Sequence, residues 1–133
     1  MVASTKNTIR LQAKLEDIVR LEDFILSLDE IPAEERNKVM LISSEIFENI
    51  VLHSKVVPEG IRFRVHADKK VTLLFVFHSP NFEMFVANFA RRKPYFDECL
   101  NRYRGLGLRI CYSLSESLHY RVTSRYTAVL IRI

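Results

Sequence analysis

Glu45, Asn49 and His53 stand four residues apart in one apolar-rich stretch of the chain. On a helix of about 3.6 residues per turn each step drifts only about 40°, so the three share one face. Apolar residues border this strip on the same cylinder, with Leu41 and Leu52 on one side and Ile42, Ile46 and Ile50 on the other; Asn37, Ser44 and Glu48 mark the solvent sector. A carboxylate beside apolar surface costs free energy unless it is paired. One arrangement satisfies the strip internally, with Glu45 against a basic residue of a sheet and His53 capping the helix. In the other the strip lines a pocket. The carboxylate then acts as a base or orients a group, and the amide oxygen of Asn49 binds a hard cation such as Mg2+.

A second feature lies downstream. Tyr103-Arg104-Gly105-Leu106-Gly107-Leu108 holds two of the three glycines in the chain, where a loop enters an apolar helical period. Glycines there let backbone N–H groups approach an anion, and a helix N-terminus adds a favourable partial charge. Arg104 adds a cation for a phosphate, or is simply exposed; a plain tight turn has the same composition.

These residues need elements to hold them. Alternation at Ile9, Leu11 and Ala13 reads as a strand, and Leu15 to Leu28 as a helical period. Pro32 and the acids Glu34 and Glu35 open a second helix, expected to run to about Ser54, where Pro58 and Gly60 signal a loop. A hairpin follows, with Ile61 to Ala67 and Val71 to Phe77 joined by Asp68-Lys69-Lys70. The second of these strands is almost continuously apolar, which predicts a central strand covered on both faces. A long connection to about Arg104 carries Phe82, Phe85 and Phe89 and the basic run Arg91-Arg92-Lys93. A third helix is expected over Leu106 to Leu118, then strands at His119–Thr123 and Thr127–Ile133. Strands arriving as hairpins predict an α+β fold. Its mixed, mainly antiparallel sheet carries helices packed on one face as a two-layer sandwich. Residues 1–7 read as a polar tail and 8–133 as a single domain.

Composition sets the bounds. The chain has 133 residues, 48% of them hydrophobic and 27% charged, enough to bury a core. A formal net charge of +4 is mild and argues against a dedicated nucleic-acid binder, although Arg62, Arg64 and the run at Arg91 to Lys93 keep that class open. Cys99 and Cys111 form no zinc-like spacing, and Cys111 reads as core. No stretch reaches the roughly 18 apolar residues needed to cross a bilayer, and the first ten residues lack a signal-peptide pattern. A cytoplasmic protein without membrane contact is the expectation.

Taken together, three stretches resemble the GHKL (histidine-kinase-like) ATPase superfamily, and within it the anti-sigma-factor serine kinases of bacterial partner-switching systems. Glu45 to Ser54 resembles the family's E-x-x-x-N-x-x-x-H helix, Arg104 to Leu108 its glycine-rich G-x-G-L box, and Tyr126 to Leu130 its terminal G-T-x-x-x strand. The resemblance covers about residues 8 to 133, in the family's order of elements. It implies an ATP-binding domain in which Asn49 coordinates Mg2+ and Glu45 acts as the base or orients the attacking group. Gly105, Leu106 and Gly107 wrap the phosphates beside Arg104, with His53 on the helix of Glu45 and Asn49. Thr127 and His78 stand at the adenine end, under a lid of about residues 79–104. Implied partners are a sigma factor and an antagonist protein phosphorylated on serine; a homodimer fits the family.

The sequence departs from the family at the adenine end. The family's D-x-G motif should follow the central strand, but the chain reads His78-Ser79-Pro80-Asn81-Phe82, with His78 in place of the aspartate and Pro80 in place of the glycine; Tyr126 also replaces a glycine. A neutral imidazole accepts one hydrogen bond but lacks the carboxylate's charge. Proline fixes φ and removes an N–H. Three functions follow: a nucleotide-dependent serine kinase, a non-catalytic GHKL-fold protein-binding regulator that has lost nucleotide binding, and a basic nucleic-acid-binding domain.

Overall fold

A computed structural model describes residues 7–53, 60–79, 95–97, 102–104, 111 and 113–133, with the backbone alone at 53, 95–97 and 102–104. The chain opens with β1 (Thr8–Leu11) and a 3-10 turn (Leu15–Asp17), followed by α1 (Ile18–Leu26) and α2 (Ala33–His53). The hairpin of β2 (Ile61–Ala67) and β3 (Val71–Phe77) comes next. Two short strands, β4 (Tyr95–Asp97) and β5 (Arg102–Arg104), precede β6 (Ser117–Val122) and β7 (Thr127–Arg132). The main sheet has the order β1-β2-β3-β7-β6, and each of its neighbouring pairs is antiparallel. The fold is α+β, a five-stranded sheet with helices on one face.

The alternation of side chains along a strand explains the one-sided packing. Ile61, Phe63 and Val65 of β2, Val71, Leu73, Phe75 and Phe77 of β3, and Val129 and Ile131 of β7 are buried, and the register aligns them: Phe63 faces Phe75, and Phe75 faces Val129. Leu21 and Ile25 of α1 and Val39, Ile42, Ile46, Phe47 and Ile50 of α2 close the core over them. The centre is aromatic. Phe24 of α1 meets Phe63 edge-on at 6.0 Å, and Phe63 lies tilted against Phe75 at 4.6 Å. Val19 of α1 and Leu15 of the 3-10 turn, which belong to the helical period, stay exposed, while Leu21 and Ile25 take the buried side.

Three expectations need correction. β3 is central, but among the described residues the helices lie on one of its faces: Thr72, Leu74 and Val76 on the other are half-buried. Its apolar run therefore does not mark two covered faces. β6 begins at Ser117, where a helix was expected, because Leu118 pairs with Ile131 and Ser117 with Arg132; the helical residues described in this stretch are 111, 113 and 114. Within the expected loop over 79–104 two short strands pair, Tyr95 with Arg104 and Phe96 with Tyr103, although nothing in that composition signals a hairpin.

Polar anchors set the joints. Asp17 is buried, and its carboxylate accepts from the Gln12 N–H at 2.6 Å and from Arg20 at 3.1 Å, fixing the exit from β1. Arg36 reaches back from α2 and donates to four carbonyls, those of Ile25, Leu26, Leu28 and Ile31, at 3.2–3.4 Å. The Ile25 and Leu26 carbonyls belong to the end of α1 and the other two to the link that follows it; the Ile25 and Leu28 carbonyls also accept from the Leu28 and Ile31 N–H groups, so the guanidinium ties the α1–α2 link together. Gly60 enters β2 at φ +84°, and a Cβ there would come within 2.4 Å of the Leu11 carbonyl oxygen.

Two stability outcomes follow. Gly60→Ala combines a left-handed backbone with a backbone clash and should lower unfolding free energy by at least about 2 kcal/mol in urea melts. An unchanged midpoint contradicts the close approach. Arg36→Met keeps the stem but removes the donors and should cost about 1–3 kcal/mol; a loss within error means that water serves these carbonyls equally well.

Candidate functional site

The site begins with α2. Its inner stripe, Val39, Ile42, Ser43, Ile46, Phe47 and Ile50, is fully buried, while Leu41 and Leu52 are exposed on the other flank. Glu45 and Asn49 fall between these stripes and are half-buried. The strip is thus the border between core and solvent that the spacing predicts, and α2 carries it as far as His53. The side chain of His53 lies outside the described residues.

Asn49 Nδ2 donates to the Glu45 carbonyl oxygen at 2.7 Å, one turn back. This ties the donor end of the amide to its own helix. The carbonyl end, a hard oxygen, is then the part that can turn to a ligand, and its chemistry suits Mg2+ held by few protein groups together with phosphate oxygens. Glu45 also makes an interaction of its own.

Cys111 sits against this part of α2. It is fully buried, with Sγ 3.9 Å from the Ile42 carbonyl oxygen as a weak donor. Burial first, and the nearby Glu45 carboxylate second, push its thiol pKa up to about 12. Cys111 therefore packs on α2 near Glu45. Sequence spacing gave Cys111 as core but carried no sign of this neighbour. Ser43 went unremarked as well: it is fully buried, and its Oγ has no hydrogen-bond partner among the described residues. A helical serine between Ile42 and Ser44 gives no such signal.

A separate candidate region is the end of the sheet. Thr127 opens β7, is buried, and pairs across the strands with Phe77 on one side and Val122 on the other. His78 follows Phe77 directly and is half-buried; Ser79 beyond it is buried and has a partner. The register thus brings Thr127 next to the strand end that carries His78. On β6 the helix-side residues Tyr120 and Val122 are exposed, so Thr127 lies at the border between the covered core and an uncovered edge.

The remaining expected residues are accounted for in part. Arg104 ends β5, and only its backbone is described. Gly105, Leu106, Gly107 and Pro80 lie outside the described residues, as do most of residues 79–104. Among the described residues no three His, Cys, Asp or Glu side chains gather as a metal cluster, and no helix is long and apolar enough to cross a membrane.

The chain matches no family model and shows no significant similarity to a curated protein.

The packing of Cys111 gives a direct check. At pH 8 a thiol with a pKa of about 12 is ionised to roughly one part in ten thousand, and burial excludes reagent as well. In a Cys99→Ser variant, labelling by a thiol-reactive disulfide should therefore proceed only as fast as the protein opens, and should accelerate with urea. Rapid labelling of the native protein, independent of urea, contradicts this placement.

Proposed function

We propose that this domain is a GHKL-type regulatory protein that binds ATP with Mg2+ and acts in the manner of an anti-sigma-factor serine kinase, in the cytoplasm, on a protein partner. The observation that carries the reading is the half-buried Glu45–Asn49 pair on α2, in which the amide donor is tied down and the carbonyl end is left to turn to a ligand. Thr127 supports it from the sheet, buried beside the strand end that bears His78.

In this reading each residue has a definite task. Asn49 presents its amide oxygen to the cation. Bound there, Mg2+ neutralises charge on the phosphates of the nucleotide. Glu45, one turn away, orients or deprotonates the attacking serine hydroxyl of the antagonist protein. The 105–107 turn supplies backbone N–H groups to phosphate oxygens, with Arg104 as a neighbouring cation. Thr127 and His78 read the base: the hydroxyl donates or accepts, and a neutral imidazole accepts one hydrogen bond through its free nitrogen. The protein partner is a sigma factor or its antagonist.

A second reading rests on His78 and Pro80. They stand where an adenine-reading carboxylate and a glycine are expected, so the same fold works as a binding-only regulator without nucleotide.

Calorimetry with ATP and Mg2+ separates the two. The kinase reading expects heat with the wild-type protein and a loss of at least about tenfold in affinity, with loss of Mg2+ dependence, in Asn49→Ala. No heat with the wild type sinks it in favour of the binding-only regulator. Binding that is unchanged in Asn49→Ala sinks the assignment of the metal ligand.

A further inference from the structure

The sheet face away from the helices has a composition of its own. Alternation and register place Thr8 and Arg10 of β1 on it, with Arg62, Arg64 and His66 of β2 and Thr72, Leu74 and Val76 of β3. Ala128, Leu130 and Arg132 of β7 and Ser117, His119 and Arg121 of β6 complete it. The register sorts these into rows. One row runs Arg10, Arg62, Val76, Ala128, Arg121; the next runs Thr8, Arg64, Leu74, Leu130, His119. Both rows have the same design, aliphatic on the two central strands and cationic or polar on the strands at either side. The aliphatic members are half-buried, while Arg10, Arg62, Arg64, His119 and Arg121 are exposed.

No carboxylate stands among the strand residues of this face. Glu116, which precedes β6, is engaged by Lys70, whose ammonium holds its carboxyl below the usual range, with Arg132 close by. Arg10 and Arg62 are direct cross-strand partners, and Arg10 makes an interaction of its own. A face of this kind invites negative charge from outside.

We propose that this face docks an acidic amphipathic helix of a partner protein, laid along β3 and β7. Its dimensions suit that occupant. From β2 to β6 the sheet crosses three strand spacings, about 14 Å, close to the 10–12 Å diameter of a helix. The helix sets apolar side chains at i, i+3, i+4 and i+7 on Leu74, Val76 and Leu130, and its flanking carboxylates meet Arg62 and Arg64 on one rim and Arg121 on the other. Other occupants fit less well. A second copy through the same face sets arginine against arginine. Nucleic acid calls for cations at the centre and aromatic rings for stacking, but the centre here is aliphatic and the described strand residues of the face include no Phe, Tyr or Trp. A membrane calls for apolar groups that protrude, whereas Leu74, Val76 and Leu130 are half-buried between longer arginine side chains. This docking does not depend on nucleotide.

The test uses the full chain and a fluorescent synthetic peptide about four turns long, with leucines at i, i+3, i+4 and i+7 and glutamates beside them. A scrambled peptide of the same composition, a single-stranded oligothymidylate and phosphatidylserine vesicles run alongside. Anisotropy should show the amphipathic peptide binding at least about tenfold more tightly than the scrambled one, with affinity falling as salt rises. The double variant Arg62→Glu, Arg64→Glu should weaken it by about tenfold or more, as should Leu130→Gln. Circular dichroism checks that each variant is folded, and Arg121→Glu on the opposite rim serves if the double variant is not. The proposal is overturned by any of these results: no binding of the amphipathic peptide at low salt, equal binding of the scrambled peptide, or tighter binding of the oligonucleotide or the vesicles through the same arginines.

Discussion

The stack of Phe24, Phe63 and Phe75 holds the two layers together. It runs from α1 through β2 to β3, edge-on at 6.0 Å and then tilted at 4.6 Å, and the fully buried residues of α2 gather around it. Burying rings of this size supplies a large share of the hydrophobic driving force, and their edge and tilted geometries add to it. With that stack in place, alternation along the strands assigns every other residue to a side. Glu45 and Asn49 come to the margin of the helix layer because Ile42, Ile46 and Ile50 are drawn inward beside them. Thr127 is carried inward with Val129 and Ile131, which brings a hydroxyl to the inner face of the sheet.

The same one-sidedness has a cost. With the described helices on one face, the other is left to satisfy itself, and there the chain places arginines around a narrow aliphatic strip. Arginine stems cover part of that apolar surface while their charged heads stay in water. The protein therefore has two distinct polar features, a half-buried strip on α2 at the margin of the helix layer and a cationic outer face on the sheet.

Much of this was legible in the sequence, because periodicity and long-range packing agreed. The β2–β3 hairpin and α2 follow from alternation and from the 3.6-residue period, and the strip on α2 from four-residue spacing. Other parts were hidden for physical reasons. The apolar run Val71 to Phe77 reads as doubly covered because composition cannot distinguish a half-buried face from a covered one. The start of β6 at Ser117 is decided by pairing with Arg132 and Ile131, a contact far along the chain that outweighs local helical preference. Arg36 as the tie of the α1–α2 link and Cys111 near Glu45 depend on where elements meet, and neither has a local signature. The 105–107 turn, central to the family resemblance, lies outside the described residues, so that part of the site still stands on its glycine spacing.

The central claim is that the Glu45–Asn49 strip and the Thr127 end of the sheet belong to one nucleotide site. Side-chain amide and backbone NMR resonances, followed while ATP and Mg2+ are added together and then Mg2+ alone, address it most directly. The account predicts that the Asn49 side-chain amide and the Thr127 backbone N–H shift in parallel and saturate at the same nucleotide concentration, while Mg2+ alone leaves Thr127 in place. If neither moves, or if they saturate independently, the two features do not form one site.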